Sequence, residues 1–447
     1  MPFSNEKAVS ITYFDPFALF ESVKNEFHQI LPLENIHWRS PNGVMRTISR
    51  FPIALKPESN GDYDLTNTNI PFIRCIIVSC NSVEEYRSKV RPLIRDWIPQ
   101  ATKGQTTPPG SNAMELEFAT TPLIFLYSNA AVVDSNIFKS VSLMDKFNKD
   151  FPDVSVMELK SVYKSLKEKE DFWNQISQKI KSQVVQIFQR RLDIIREKLD
   201  TLSKLHGESK EEAERILLIK ERLFDLYFKA NLLEESQEQL KEIRIDISAL
   251  IDAADNKGQL DIPFNFTIAE DDSIAMELKN NTISKFYISK YFFLREFFLL
   301  RLEMNSNPRI LKLYKLVRQF LRNIERDFQT EEKLIVFKYS FLRAILLHLQ
   351  ETKITDKTVI SEVKAELLLM KRDSWLHGVL SVTDYELIGK TEAFHNNAVE
   401  YTFDIETETF KTEHDFYDNF IAYNTELLSL YNECDGKRQR IIDILSL

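Results

Sequence analysis

The chain has 447 residues, 43% of them hydrophobic and 28% charged, which is the composition of a globular protein of about two or three domains. Only 9 glycines are present, fewer than an all-β protein or a glycine-rich nucleotide-binding enzyme usually needs for its turns, so helices are expected to dominate. The net charge of −9 argues against nucleic acid as the main partner, because phosphate binding requires a basic surface.

The first third of the chain alternates short apolar runs with amphipathic helical patterns. The runs that predict strands are Ile11–Phe14, a β-like stretch within Met45–Leu55, Phe72–Cys80, Leu123–Tyr127 and Val154–Leu159. Ser82 and Glu85 form a capping box, which predicts that a helix starts directly after the Phe72–Cys80 strand. This alternation predicts an α/β domain over residues 1–165, with a mainly parallel, degenerate sheet of the GTPase-like or Rossmann-like kind.

From residue 166 onward the pattern is helical. Apolar residues three or four positions apart from Phe172 to Leu199 predict one long amphipathic helix, and Asn231 lies where a helical hairpin would turn. Further helices are predicted at about Ser284–Met304 and Arg309–Phe328. Successive hairpins predict that residues 166–447 form an α-solenoid without a strict repeat period. Polar loops are expected at residues 56–69, 101–113 and 252–273.

The sequence offers no phosphate-binding loop. The one Gly-Lys-Thr, Gly389-Lys390-Thr391, has Asp384 where such a loop requires another glycine, and it lies far from any strand–loop–helix unit. The turns after the two clearest strands, Asn81-Ser82 and Ser128-Asn129-Ala130, also lack glycine. We therefore predict no cofactor-binding residue, and we expect that the chain neither binds nor hydrolyses GTP.

Residues for catalysis or metal binding are not grouped in the sequence either. Cys75 and Cys80 lie five positions apart on a predicted strand, so their side chains should point to opposite faces of the sheet. No two histidines have the spacing of a metal site; they are His28, His37, His206, His348, His377, His395 and His414. We predict no catalytic residue, no metal site and no enzyme activity. The basic cluster Lys437–Arg440 fits a solvated face better than a contact with an acidic partner or anionic lipid.

Targeting signals are not predicted. The N-terminus carries Glu6 and no long apolar run, which argues against a signal peptide. The most apolar stretches, such as Tyr291–Leu302, are interrupted by charged residues and are too short to span a bilayer. A soluble, cytosolic chain is expected. The last predicted helix, Lys437–Leu447, has no capping glycine or proline, so we expect the sequence to be the N-terminal part of a longer protein, cut inside the solenoid.

Several long segments resemble one known family, the large subunit specific to the TRAPP II vesicle-tethering complex. The resemblance is spread over nearly the whole chain and is carried by Phe14–Ser40, Ile70–Cys80, Tyr86–Pro99, Val132–Pro152, Phe172–Leu192, Glu366–Trp375 and Cys434–Leu445. It implies a much longer protein that continues into more solenoid and β-sandwich modules. It also implies a place in a complex that acts at the late Golgi as a guanine-nucleotide exchange factor for Rab-type GTPases, with the exchange chemistry in small core subunits.

The resemblance implies a non-catalytic scaffold that binds other TRAPP II subunits, meets a Rab through the assembled complex and associates peripherally with Golgi or vesicle membranes. It implies neither a nucleic acid nor a small-molecule substrate. Two alternatives stay open. The chain could be an α/β enzyme with a divergent site, which a convergent polar pocket at the carboxyl ends of the Phe72–Cys80 and Leu123–Tyr127 strands would support. It could also be a helical-repeat adaptor unrelated to Rabs.

Overall fold

A computed structural model describes residues 8–40, 43–58, 70–80, 82–102, 120–128, 143–160, 162–204, 210–250, 256–262, 264–268, 272–302 and 307–328, with residue 425 and a few positions between 334 and 345. The described residues fall into two compact units. The sheet unit comprises the chain up to Leu250 together with residues 272–276. The second unit comprises residues 256–268 and the chain from Glu277 onward.

The described strands all lie in the sheet unit. They are β1 (Val9–Phe14), β2 (Leu33–Arg39), β3 (Met45–Phe51), β4 (Ile53–Pro57), β5 (Ile73–Ser79), β6 (Thr121–Ser128) and β7 (Ser155–Lys160). The described helices are α1 (Lys24–Ile30), α2 (Val83–Glu85), α3 (Arg91–Thr102), α4 (Leu143–Asp150), α5 (Leu166–Lys204), α6 (Lys210–Lys229), α7 (Leu233–Leu250), α8 (Ile274–Lys279), α9 (Lys285–Leu302) and α10 (Asn307–Phe328). A π-helical turn, Tyr86–Val90, continues α2 into α3.

The main sheet is parallel throughout and has the strand order β4-β1-β5-β6-β7. Its central strand β5 is buried on both faces, as its continuous apolar run predicts. Ile73, Cys75 and Ile77 belong to the core shared with α1 and α5, whereas Ile76 and Val78 belong to the core shared with α3 and α4. The sheet is therefore the middle of three layers, and the predicted α/β class is confirmed.

The segment Met45–Leu55 forms two strands rather than one β-like stretch. β3 pairs antiparallel with β2, and β4 pairs parallel with β1 in the main sheet. Pro52 separates them, because proline has no N–H to continue a ladder. β2 was not predicted from the sequence. Only part of its residues are buried, so it has no continuous apolar run.

The long helix α5 covers the sheet and also carries the β2–β3 hairpin. The Phe188 ring lies at 5.4 Å from the Trp38 ring and 6.3 Å from the Phe51 ring, measured between centroids. The Trp38 indole Nε1–H donates to Gln189 Oε1 at 2.9 Å. Asn231, which turns α6 into α7 with a φ of 56°, donates through Nδ2 to the Arg50 carbonyl at 2.8 Å. Sheet, hairpin and helices α5–α7 thus form one packed body.

The second unit is organised around phenylalanine side chains. Phe293 of α9 stacks on Phe320 of α10 with ring centroids 4.4 Å apart, and Phe264 and Phe341 lie 5.8 and 5.2 Å from the Phe293 ring. α9 is apolar around most of its circumference, which suits a helix enclosed by its neighbours. Phe264 lies within the segment 252–273, which was predicted as a polar loop, and is nevertheless buried in this core.

The predicted helices over Phe172–Leu199, Ser284–Met304 and Arg309–Phe328 correspond to α5, α9 and α10. The proposed domain boundary between residues 165 and 166 falls in the connection from β7 to α5. Most of the predicted loops at residues 56–69 and 101–113 and the predicted helix Lys437–Leu447 lie outside the described residues. Within the described part of the chain, no helix is long and apolar enough to cross a bilayer.

Candidate functional site at the carboxyl edge of the sheet

The strand order identifies the place where a ligand would bind. From β1 the chain continues to β4 on one side of the sheet, and from β5 it continues to β6 on the other side. The order in which strands are added therefore reverses between the parallel strands β1 and β5, which makes this the switch point of the topology. In open parallel sheets, ligands bind in the crevice at the carboxyl ends of such strands. The loop after β1 and the turn after β5 are therefore the candidate site.

The loop after β1 is closed by its own carboxylate. Asp15 Oδ1 accepts the Leu19 backbone N–H at 3.0 Å, and Asp15 Oδ2 accepts the Phe20 N–H at 2.7 Å. In phosphate-binding sheets, N–H groups at this position point at phosphate oxygens. Ala18, directly before Leu19, has a φ of 54°, a conformation in which glycine would be unstrained. The carboxylate thus occupies an anion position and would repel a phosphate.

Aromatic side chains fill the space beneath this loop. The Tyr13 ring stacks on the Phe20 ring with centroids 3.9 Å apart, and burial together with the nearby Glu21 charge raises the pKa of Tyr13. A cavity of about 20 Å³ remains between sheet and helices, lined entirely by apolar and aromatic side chains, among them Phe27 and Ile180. Such a cavity could hold at most one water molecule and is too small for a nucleotide.

The turn after β5 carries Cys80 and the helix cap predicted from the sequence. Ser82 Oγ accepts the Glu85 backbone N–H at 3.1 Å, which confirms the predicted start of α2. Burial and then the Glu85 charge raise the pKa of Cys80 to about 11. The thiol is therefore protonated at neutral pH and unsuited to act as a nucleophile. Cys75 and Cys80 belong to the cores on opposite faces of the sheet, as predicted.

A buried ion pair lies under the sheet on the α3 side. The Glu58 carboxylate, directly after β4, pairs with the Arg74 guanidinium through Oε1 and accepts the Trp97 indole N–H through Oε2 at 2.9 Å. Arg74 also donates to the Gln100 carbonyl at 2.5 Å. The two charged side chains are 8% and 10% exposed. This network joins β4, β5 and α3, and we interpret it as structural because it has little contact with solvent.

A shallow surface hollow of about 370 Å³ lies at the carboxyl end of β7. Its polar side chains cap the start of α5: Ser165 Oγ accepts the Glu168 N–H at 3.1 Å, and Glu168 Oε2 accepts the Lys164 N–H at 2.7 Å. Lys160 Nζ lies 4.0 Å from Glu168 Oε1. Ser165 and Glu168 therefore fix the start of the helix, in the manner of a capping box.

Of the histidines considered in the sequence, the structure describes His28 and His37, and these two do not lie at this edge. His37 Nδ1 lies 3.2 Å from Thr47 Oγ1 on the exposed face of the hairpin, and His28 is in the last turn of α1. The remaining histidines, Gly389-Lys390-Thr391, Cys434 and Lys437–Arg440 lie outside the described residues. Across the described ranges, no three His, Cys, Asp or Glu side chains are grouped as metal ligands. Asp15 was not predicted from the sequence, although an aspartate ahead of a helix is a capping signal.

The fold and this edge define a class of protein: a sheet of nucleotide-binding topology, with its anion position occupied by the chain itself, that continues into helical hairpins. Residues 4–204 match the family described as "Trafficking protein particle complex subunit 10-like, N-terminal", and residues 311–447 match the "TR130 NTS domain".

Individual relatives agree with these matches. "Trafficking protein particle complex II-specific subunit 130" of Saccharomyces cerevisiae is 42% identical over 441 residues, covering 98% of this chain and 39% of the relative. "Trafficking protein particle complex subunit 10" of Dictyostelium discoideum is 27% identical over 104 residues, covering 22% of this chain and 7% of the relative. The chain belongs to the family of TRAPP II-specific large subunits, and it spans about two fifths of the S. cerevisiae relative.

Proposed function

We propose that this chain is part of a non-catalytic scaffold subunit of the TRAPP II complex, which tethers vesicles and exchanges guanine nucleotides on Rab-type GTPases in Golgi trafficking. Its partners are then the other TRAPP II subunits, a Rab contacted through the assembled complex, and peripherally the Golgi or vesicle membrane. No nucleic acid, small-molecule substrate or cofactor is part of this proposal. The location would be cytoplasmic, at the trans-Golgi. The relationship to TRAPP II-specific subunit 130 supports membership of the complex.

The main observation behind the proposal that this sheet binds no nucleotide is the position of the Asp15 carboxylate. In a nucleotide-binding sheet, the loop after the first strand holds phosphate through free N–H groups and tolerates close approach because of its glycines. Here Leu19 and Phe20 donate those N–H groups to Asp15. A nucleotide would have to displace a carboxylate bound by two hydrogen bonds, and the cavity of about 20 Å³ beneath the loop is too small to hold it. We therefore assign the sheet a structural role.

The proposed mechanism is geometric. α5 has 39 residues and is roughly 58 Å long at about 1.5 Å per residue. It contacts the sheet, the β2–β3 hairpin and α6 within one packed unit. We propose that the helical hairpins of residues 166–447 present a long surface that holds subunits and a Rab in register. Exchange activity is then a property of the assembly.

Two measurements test this proposal. In calorimetry, GTP and GDP with Mg²⁺ should give no binding heat with the chain, and a micromolar or tighter complex would contradict the structural role of the sheet. In an exchange assay, the chain alone should not speed the release of fluorescent GDP from any Rab, whereas the complex containing the full-length subunit should. Failure of the full-length protein to co-purify with the other TRAPP II subunits would favour the unrelated adaptor.

A further inference from the structure

Helix α10 separates apolar and basic residues onto two sides. Its inner side is buried against the phenylalanine core and consists of Leu313, Val317, Phe320, Leu321, Ile324 and Phe328. Its outer side carries exposed cations at intervals of three or four residues: Lys312, Lys315, Arg318, Arg322 and Arg326. This spacing places the five side chains in one row along the helix. We refer to these five residues as the basic ridge.

The two acidic residues of α10 lie near its end. Glu325 pairs with Lys338, whereas Asp327, whose side chain is 12% exposed, pairs at 3.2 Å with Arg326, the last residue of the ridge. The first four ridge residues therefore follow one another with no acidic residue among them in the sequence. Like charges at these spacings destabilise a helix by a few tenths of a kcal/mol per pair. The stability of α10 by itself does not explain why cations are kept in one row on a chain of net charge −9.

The length and chemistry of the ridge fit a helical protein partner. From Lys312 to Arg326 it extends roughly 21 Å, about four helical turns. Three of its five cations are arginines, whose planar guanidinium groups bind carboxylates through two parallel hydrogen bonds and are enriched at protein interfaces. An acidic helix with carboxylates three or four residues apart would present the matching row.

A lipid surface fits this ridge less well. Helices that bind membranes combine cations with an apolar side that enters the headgroup region. The apolar side of α10 is already buried, and the exposed large hydrophobic residues of the described chain all lie before residue 277. The ridge therefore offers charge without an apolar anchor.

We propose that the basic ridge of α10 docks an acidic helix of another subunit of the complex. This inference rests on the proposed membership of TRAPP II, and it assigns one surface of the chain to one kind of partner. The contact is electrostatic, so it weakens as salt shortens the range of charge interactions. It positions the partner along α10 without burying further apolar residues of this helix.

Zero-length carbodiimide crosslinking of the purified complex, containing the full-length protein, tests the contact directly. The reagent joins a lysine amine to a carboxylate only when the two touch. Lys312 and Lys315 should become linked to Asp or Glu residues spaced three or four apart in another subunit, and these links should diminish at about 0.5 M salt. Lys179 and Lys204, which are exposed on α5, serve as the comparison. If Lys312 and Lys315 form no more links to other subunits than these two lysines do, the proposal is wrong.

Charge reversal gives the matched comparison. The variant Lys315→Glu, Arg318→Glu, Arg322→Glu should bind the rest of the complex, assembled without this subunit, about tenfold to a hundredfold more weakly than the wild type. The glutamine variant at the same positions should lose less. The control Lys179→Glu, Arg190→Glu, Lys204→Glu makes the same charge change on α5 and should bind normally. Unaltered circular dichroism shows that the variants fold.

Other results of these experiments distinguish a failure of the docking proposal from a failure of the proposed membership of TRAPP II. A ridge variant that binds the complex like the wild type overturns the docking proposal while leaving membership intact, whereas a wild-type chain that never co-purifies overturns membership itself. Sedimentation with vesicles containing about 30% phosphatidylserine covers the lipid alternative. If the wild type binds these vesicles, the ridge variant does not, and assembly is unaffected, the ridge contacts membrane and the acidic-helix proposal is wrong.

Discussion

Removing the Glu58 carboxylate should strongly destabilise the sheet unit. In Glu58→Ala, the Arg74 guanidinium remains beneath the sheet with 10% of its side chain exposed and loses its acidic partner. The Trp97 indole N–H loses its acceptor in the same change. Breaking a buried ion pair by removing one partner costs about 3–5 kcal/mol, mostly because an uncompensated charge stays buried. We expect a loss of that size in the free energy of unfolding.

Two controls separate this effect from the loss of a side chain as such. Glu58→Met combined with Arg74→Met removes both charges and should recover most of the stability, because apolar residues often replace a buried pair at little cost. Glu21→Ala removes a carboxylate that pairs with Lys24 at 3.0 Å on the surface, where it is 76% exposed. Exposed pairs of this kind contribute about 0–1 kcal/mol, so the change should be small.

Urea unfolding followed by tryptophan fluorescence is a suitable assay. Trp38, Trp97 and Trp173, three of the four tryptophans in the sequence, lie in the sheet unit, so the signal reports mainly on it. In Glu58→Ala, the midpoint should fall and the emission should change because Trp97 loses its hydrogen bond. A loss below about 1 kcal/mol, or a double variant as unstable as the single one, would refute the interpretation of Glu58–Arg74 as a buried pair that holds α3 to the sheet.

Three further predictions concern the same unit. Asp15→Ala should lower the free energy of unfolding by about 1–2 kcal/mol without creating nucleotide binding in calorimetry, since two N–H groups lose their acceptor; unchanged stability would contradict the cap. Phe188→Ala should cost about 3–5 kcal/mol in urea unfolding, because this ring joins α5 to the hairpin; a loss below about 1 kcal/mol would contradict that. Since burial raises the pKa of Cys80 from its ordinary 9.0 to about 11, the folded thiol binds its proton more tightly than the unfolded one. The contribution of Cys80 to stability, taken as the difference between the wild type and Cys80→Ala, should therefore be level below pH 9 and fall toward pH 11. Cys80 alkylation, followed by mass spectrometry, should be slow until that range is reached.

The parts of the fold that the sequence predicts are those with a local signal. β5 is apolar at nearly every position and is followed by Ser82 at a helix cap, so both the strand and the next helix are apparent in the sequence. α5 repeats its apolar residues over many turns. One face of α5 and both faces of β5 are buried. The spacing of apolar residues along each element reflects this burial, so it can be detected in the sequence.

The unpredicted parts depend on contacts between distant residues. β2 is only partly buried, and its place is set by Phe188 and Gln189, about 150 positions along the chain. The pairing of β4 with β1 cannot be derived from β4 alone, because the sequence of a strand does not specify which other strand it pairs with. Asp15 had a recognisable signal, an aspartate ahead of a helix. The basic ridge was also present in the spacing of Lys312, Lys315 and Arg318, but a row of surface cations acquires meaning only once the opposite side of the helix is known to be buried.

The carboxyl edge of the sheet is consistent with the proposed structural role of this domain. The same N–H groups that would hold a phosphate instead hold Asp15, so the loop is ordered without a ligand. A nucleotide-dependent sheet changes its loops with the bound state, whereas a loop closed by its own carboxylate has one arrangement. An edge with one arrangement is consistent with the proposed role of holding other subunits in fixed positions.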